Sequence, residues 1–279
     1  QGDDLMSDVC PKCQSTEVSL LKRPTSLGYQ RFRCKRCRCT FNERSGTVFN
    51  FLEYPTDLVL MVVRWRLRYC LSLRNLSEMM LERGFEFTHE AVRSWEERYA
   101  PLITQHLRRR RRGTLGKSWY VDETYIKVKG KWCYLYRAVD RSGALIDCRL
   151  SKHRNMRAAK QFFKEALDIS GDAPDRVTTD KEVSYPRAIR EELGESVLHR
   201  TNQYLNNLIE QDHRGIKQRY GPMKGFKSLT SASRFCRAHD ELRNYYKVGK
   251  RGEKVSLKQQ RTSYLNKTLE LTHSMQLSS

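Results

Sequence analysis

Asp122, Asp180 and Glu210 are the side chains of this 279-residue chain whose types and setting could do chemistry together. Asp122 lies in Trp119-Tyr120-Val121-Asp122-Glu123-Thr124-Tyr125-Ile126, within a segment 118–128 whose aromatic and β-branched residues predict a strand. Tyr120, Ile126 and Val128 share its face at period two. An acid in mid-strand either faces water or has a cation beside it, because a lone buried carboxylate is costly. Asp180 closes a second short strand, Arg176–Thr179, and Glu210 stands near the start of a helix expected from about Asn207 to Arg219. Three carboxylates brought together repel, and unassisted at least one would hold a proton near neutral pH. Divalent metal removes that conflict. Mg²⁺ takes oxygen ligands and keeps waters, leaving room for phosphate, and two ions suit in-line displacement at phosphorus. Arg214 and Lys217 follow Glu210 at i+4 and i+7, either as a surface ion-pair ladder or as a cationic rail for a phosphate backbone. Glu123, Asp140, Asp147 and Glu182 compete with the trio and read as turn or surface acids.

A second chemistry is carried by cysteine. Cys10-Pro11-Lys12-Cys13 and Cys34-Lys35-Arg36-Cys37 form two C-x-x-C knuckles. Each short turn presents two thiolates, so together Cys10, Cys13, Cys34 and Cys37 suit one tetrahedral structural zinc ion. A segment of residues 8–50 has little core of its own, with Phe32 and Phe41 as modest apolar support, and the metal would supply its folding free energy. Cys39 reads as a bystander. Lys35, Arg36 and Arg38 give this ribbon a DNA-facing character, with protein docking as the alternative.

The elements that must position these residues come in two styles. Between residues 54 and 106 the apolar period is helical. A first helix carries Leu58, Met61, Val62, Trp65 and Tyr69, a second is capped by Ser72 and stopped by Gly84, and a third is capped by Thr88 and carries Val92, Trp95 and Tyr99. Three short helices describe a helix-turn-helix, with His89 and Arg93 (and Arg98 beside them) entering a major groove, or else a plain helical hairpin. Arg108, Arg109, Arg110, Arg111 and Arg112 then form a charge run read as a linker over 107–117 that orders on DNA backbone. From Ser118 the period becomes two. Strands at 118–128, 132–140 and 144–150 precede a helix capped by Asn155, a strand at 176–179, a helix over 185–193, a strand at 196–200 and the helix bearing Glu210. This β-β-β-α-β-α-β-α order predicts an α/β, RNase H-like mixed sheet over 118–247, preceded by a zinc ribbon and an all-α helix-turn-helix domain. In that fold the strand ending at Asp180 lies beside the strand of Asp122. A polar, basic tail, 248–279, follows, and Leu265 and Leu269 permit one weak helix there.

Composition sets the partner class. The net charge of +21 is clustered, which favours a polyanion, and nucleic acid is the usual one. No run of eighteen apolar residues exists, so a transmembrane helix is not expected, nor is a basic-then-apolar leader read at the start. Nine scattered cysteines argue against a disulfide scaffold and for a reducing cytosol.

The stretches WYVDETYIKVKGKWCYLYRAVDRSG, TTDKEVSYPRAI, LHRTNQYLNNLIEQDHRGIKQR and GFKSLTSA resemble the DDE transposases of bacterial insertion sequences, specifically the insertion-sequence-six group. SLRNLSEMMLERGFEFTHEAVRSWEERYAP is similar to that family's helix-turn-helix, and the resemblance covers roughly residues 54–247. It implies that Asp122, Asp180 and Glu210 are the catalytic acids and that Lys217 is the basic residue seven positions after the glutamate. It also implies two Mg²⁺ ions per site (Mn²⁺ as substitute), binding to terminal inverted repeats, 3′-end nicking and strand transfer into target DNA, with a replicative cointegrate as product. Double-stranded DNA at element ends and target, a homodimer or larger assembly, and a cytoplasmic, nucleoid-associated place in a prokaryote follow from the same resemblance. Two departures stand out. The interval from Asp180 to Glu210 is a few residues short, trimmed near Gly194, and the best-known members lack the ribbon. A domesticated DNA-binding regulator that no longer cuts, or an RNase H-like nuclease that cleaves without joining, are the alternatives.

Overall fold

Residues 9–180, 182–201, 207–223, 225–249 and 253–277 are described by the structure, a computed structural model. Residues 1–61 with 268–279 make one compact unit and residues 62–267 the other.

In the first unit, β1 (Val18–Leu20), β2 (Arg31–Cys34) and β3 (Thr40–Asn42) form an antiparallel sheet in that order. Its core is Cys10, Cys34, Phe32 and Phe41, and the two rings stack at 5.6 Å. So few apolar groups leave the cysteines as the centre of the unit, as their spacing predicts. Arg44 closes the segment behind the sheet by donating to the carbonyls of Leu52 (2.7 Å) and Tyr54 (3.0 Å).

Three helices come next, α1 (Thr56–Arg68), α2 (Leu73–Leu81) and α3 (His89–Arg111). Ser72 caps α2, its hydroxyl accepting from the Asn75 amide at 3.0 Å, and Thr88 caps α3 in the same way from Ala91. The third helix corrects the expected boundary. It runs through Pro101 to Arg111, so most of the arginine run is helix rather than linker, and residues 62–267 are a single unit. Burial of Ile103, Thr104, Leu107 and Arg111 on one side, with α3 packed on α7 (Leu229–Tyr246), offsets the backbone hydrogen bond that Pro101 cannot make. Two arginines expected to meet DNA are structural. Arg108 pairs with Asp147 (2.5 Å), which is fully buried, and Arg111 forms a fork to Glu241 (2.8 and 2.7 Å) while donating to the carbonyls of Leu145 and Ile146. Asp147 is therefore no surface acid. Arg109, Arg110 and Arg112 stay exposed.

The five-stranded sheet has the order β6-β5-β4-β7-β8, from β4 (Ser118–Val128), β5 (Lys131–Asp140), β6 (Leu145–Ser151), β7 (Arg176–Thr179) and β8 (Leu198–Thr201). The first three are antiparallel, and β7 and β8 run parallel to β4. That is the RNase H-like arrangement. Lys129-Gly130, both at positive φ, make the two-residue turn that sets the β4–β5 register. On one face α4 (Met156–Ser170) and α5 (Tyr185–Leu193) bury Phe162, Phe163 and Tyr185 against Trp119, Val121 and Tyr136. On the other lie α6 (Asn207–Tyr220) and α7. Arg137, wholly buried, holds this second layer through Asp240 (2.8 Å) and Asp212 (2.5 Å). The tail contains α8 (Leu257–Leu277), longer than expected. Leu271 and Met275 are its buried side, while Leu265 and Leu269 are exposed. No helix among the described residues is long and apolar enough to cross a membrane.

Candidate active site

Strand pairing brings two of the three predicted acids together. Tyr120 opposes Thr178 in the parallel β4–β7 ladder, so Asp122 and Asp180, each two residues further on, meet where the shorter strand ends. One oxygen from each of Asp122, Glu123 and Asp180 lies within 4.8 Å of the other two. Glu123 thus corrects its reading as a surface or turn acid. It is buried, accepts a hydrogen bond from the Tyr185 hydroxyl and pairs with Nε of Arg154. Period two assigns Glu123 to the opposite face from Asp122. Only where β7 stops can its longer side chain reach the same place. Glu210 is exposed in the first turn of α6 and is not one of that close group. Its charge is still near enough to act on Asp122.

The acids are held at a cost in charge. Burial above all, then the Glu123 charge and more weakly Asp180 and Glu210, push the Asp122 carboxyl up to about 7. Burial also raises Glu123, against the pull of Tyr185 and Arg154. Nη2 of Arg154 stands 2.9 Å from Glu182 and 3.7 Å from Asp180, so one guanidinium ties the acid after Asp122 to both acids after β7. Behind Asp122, His213 places Nδ1 at 3.8 Å from Oδ2. Burial, helped by Arg137, draws His213 down to about 3, so it stands there as a neutral ring. A set of carboxylate oxygens with one member poised to hold a proton fits a hard, oxygen-seeking divalent cation.

The cysteines converge as their spacing predicts: thiols of Cys10, Cys13, Cys34 and Cys37 lie within 4.8 Å of one another. Four sulfurs so grouped fit a tetrahedral thiolate metal. Cys39 stays outside that group of four but stands next to it. The sharp turn at Arg38 (φ 59°) brings its Sγ to 3.3 Å from both Cys10 and Cys37.

Among the predicted DNA contacts, Lys35, Arg36 and Arg38 are exposed beside this cluster, and Arg214 and Lys217 are exposed on α6. His89 and Arg93 lie 3.1 and 3.0 Å from Glu90 at the start of α3, with Arg93 largely exposed. Glu123, Arg154, Tyr185 and His213 are the members of the acidic site that sequence reasoning missed. Arg154 had one signal, its place directly before the helix cap Asn155.

Residues 116–249 match the family described as a DDE domain, DDE_Tnp_IS240. The transposase for insertion sequence-like element IS431mec of Staphylococcus aureus is 36% identical over 211 residues, covering 74% of this chain and 92% of that one. The transposase for insertion sequence element IS257 in transposon Tn4003, from the same species, is 35% identical over the same span. Among solved structures, the HTLV-2 integrase catalytic core domain in complex with magnesium is 19% identical, covers 50% of this chain and 90% of that chain, and has a TM-score of 0.36. A simian T-cell lymphotropic virus intasome chain is likewise 19% identical, with a TM-score of 0.39 over 54% of this chain and 56% of that one.

Proposed function

This chain belongs to the insertion-sequence-six family of DDE transposases, and on that premise we propose that Asp122, Asp180 and Glu210 hold the metal ions of its phosphoryl-transfer site. The enzyme is a metal-dependent DNA transposase. Which ions it uses and which steps it performs are our reading: two Mg²⁺ ions, 3′-end nicking at terminal inverted repeats, and strand transfer into target DNA. The close approach of Asp122 and Asp180, with the charge of Glu210 on α6 acting on the same carboxyl, carries this reading. Bound there, divalent ions would supply the positive charge that an in-line displacement at phosphorus needs.

The chain's own residues do the rest. Arg154 keeps the segment after β7 against β4. Tyr185 holds Glu123 in place. Lys217, with Arg214 one turn before it, lines the exposed side of α6 for the phosphate backbone. The thiols of Cys10, Cys13, Cys34 and Cys37 hold a structural zinc ion. Lys35, Arg36 and Arg38 of the ribbon, His89 and Arg93 of the helix-turn-helix, and Arg109, Arg110 and Arg112 contact element ends. Two ends must be joined, so the working form is a dimer or larger assembly, associated with the nucleoid.

The test is strand transfer by the purified chain on end-bearing DNA with Mg²⁺. Wild type should nick and join. Joining that survives Asp122→Ala overturns the assignment, and nicking without joining would make the protein a nuclease.

A further inference from the structure

The outer face of the β4–β5 hairpin carries an aromatic surface that the carboxylate site does not use. Helices α4 and α5 cover this face of β4 through Trp119, Val121 and Glu123, and there the cover ends: Tyr125 and Lys127, next on the same face, are exposed. Opposite them on β5 stand Tyr134 and Trp132. Tyr125 lies 5.4 Å from Tyr134 and 6.3 Å from Trp132, centroid to centroid, and Nζ of Lys127 sits 5.2 Å over the indole. Tyr125 is 47% exposed and Trp132 56%, whereas Ile126, Val128 and Cys133 on the reverse face are at most 5% exposed. The hairpin is anchored along the free edge of β4, where Val128 bridges Phe226. Tyr220 accepts from the Lys127 amide at 2.8 Å, and the Lys129 amide donates to the Phe226 carbonyl at 2.8 Å.

We infer that Tyr125 and Trp132, with Lys127, form a stacking platform for unpaired bases of the DNA strand processed at the neighbouring carboxylates. Exposed aromatic faces interleaved with cations are the physical basis of sequence-tolerant single-strand binding. Lys129 and Lys131 at the hairpin tip are also exposed, and they give the patch the sign that a polyanion needs. Continuity with the acid cluster selects the occupant. Tyr125 is two residues beyond Glu123 on one strand face, a step of about 7 Å. A duplex offers its base edges in grooves and its base faces only where it is frayed or melted, so the platform takes bases that have left the helix. This inference rests on the transposase reading and adds the strand form that the site takes.

The experiment measures binding of the full-length chain to oligo(dT) of twenty nucleotides and to a blunt duplex of equal length, without divalent metal. Trp132→Ala and Tyr125→Ala should each weaken single-strand binding about tenfold and duplex binding far less. The salt dependence should stay as in wild type, because neither ring neutralises a phosphate. Lys127→Ala should instead flatten the single-strand salt slope by about 0.7. Trp132→Phe and Tyr125→Phe, which keep a ring, should retain most of the affinity and guard against misfolding as the cause. A single strand containing 2-aminopurine should be quenched by wild type and not by Trp132→Ala. Equal losses on both DNA forms, no loss, or a change in oligomeric state with DNA affinity intact would overturn the inference. Catalysis is absent from this assay, so failure here is separable from failure of the Asp122→Ala test.

Discussion

Nη2 of Arg154 stands 3.7 Å from Oδ2 of Asp180, and the same side chain pairs through Nε with Glu123. A residue just ahead of α4 thereby ties the middle of β4 to the segment that follows β7. Arg154→Gln should lower nicking by about 10²-fold, the scale of a misplacement near 1 Å. Arg154→Lys should recover little, because an ammonium cannot span Glu123, Glu182 and Asp180 as a planar fork does. Single-turnover nicking with thermal melting as control checks this, and full activity in Arg154→Gln would remove the positioning role.

Asp122 gives a pH dependence of known sign. Its carboxyl is raised to about 7 in the fold, against about 3.9 when unfolded. The folded state therefore binds that proton more tightly, and the group's contribution to stability is fully present at low pH and lost as pH rises from about 4 through 7. In chelator-containing buffer, Asp122→Asn should lose less melting temperature than wild type across this window, ending several degrees higher, at roughly 2–4 °C per kcal/mol. Added divalent metal at pH 7 and above should raise wild type and leave Asp122→Asn nearly unmoved. A steeper loss in the variant would contradict the burial and like-charge origin of the shift.

The fifth thiol separates the cysteines. Cys13→Ser or Cys34→Ser should abolish the single equivalent of bound zinc, measured by metal analysis, and strip the β1–β3 unit of its folding energy. Cys10→Ser should keep zinc more weakly, because Cys39 lies 3.3 Å from the Cys10 sulfur and can replace it. Zinc loss in Cys10→Ser equal to that in Cys34→Ser would leave Cys39 a bystander.

The arginine run should divide by burial. Arg111→Ala leaves buried Glu241 with only the longer 3.5 Å pair to Arg108 and should cost about 3 kcal/mol of stability in denaturant titration. Arg109→Ala with Arg112→Ala should leave stability within about 0.5 kcal/mol and reduce the salt slope of DNA binding by about 0.9 for each lost phosphate contact. The opposite pattern would restore the run to a DNA-tracking linker.

Local pattern carried much of this protein. The period-two run at 118–128 marked β4, Asn155 and Thr88 marked helix starts, and two C-x-x-C knuckles marked a metal-sized cluster. Each of these is legible because a strand, a cap or a knuckle is specified by residues a few positions apart. The element order then placed β7 beside β4, and Asp122 and Asp180 followed from it.

What neighbours a charged group is a different matter. Five adjacent arginines read alike in the chain, yet Arg111 meets Glu241 across 130 positions and is core, while Arg109 and Arg112 remain in water. Glu123 looked like one surface acid among several until the early end of β7 let it share a site with Asp122 and Asp180. Composition and periodicity determined which elements form and which residue types they carry. Tertiary structure alone decided which charges are buried and paired, because desolvation and Coulomb energy depend on distance in space and not on separation along the chain.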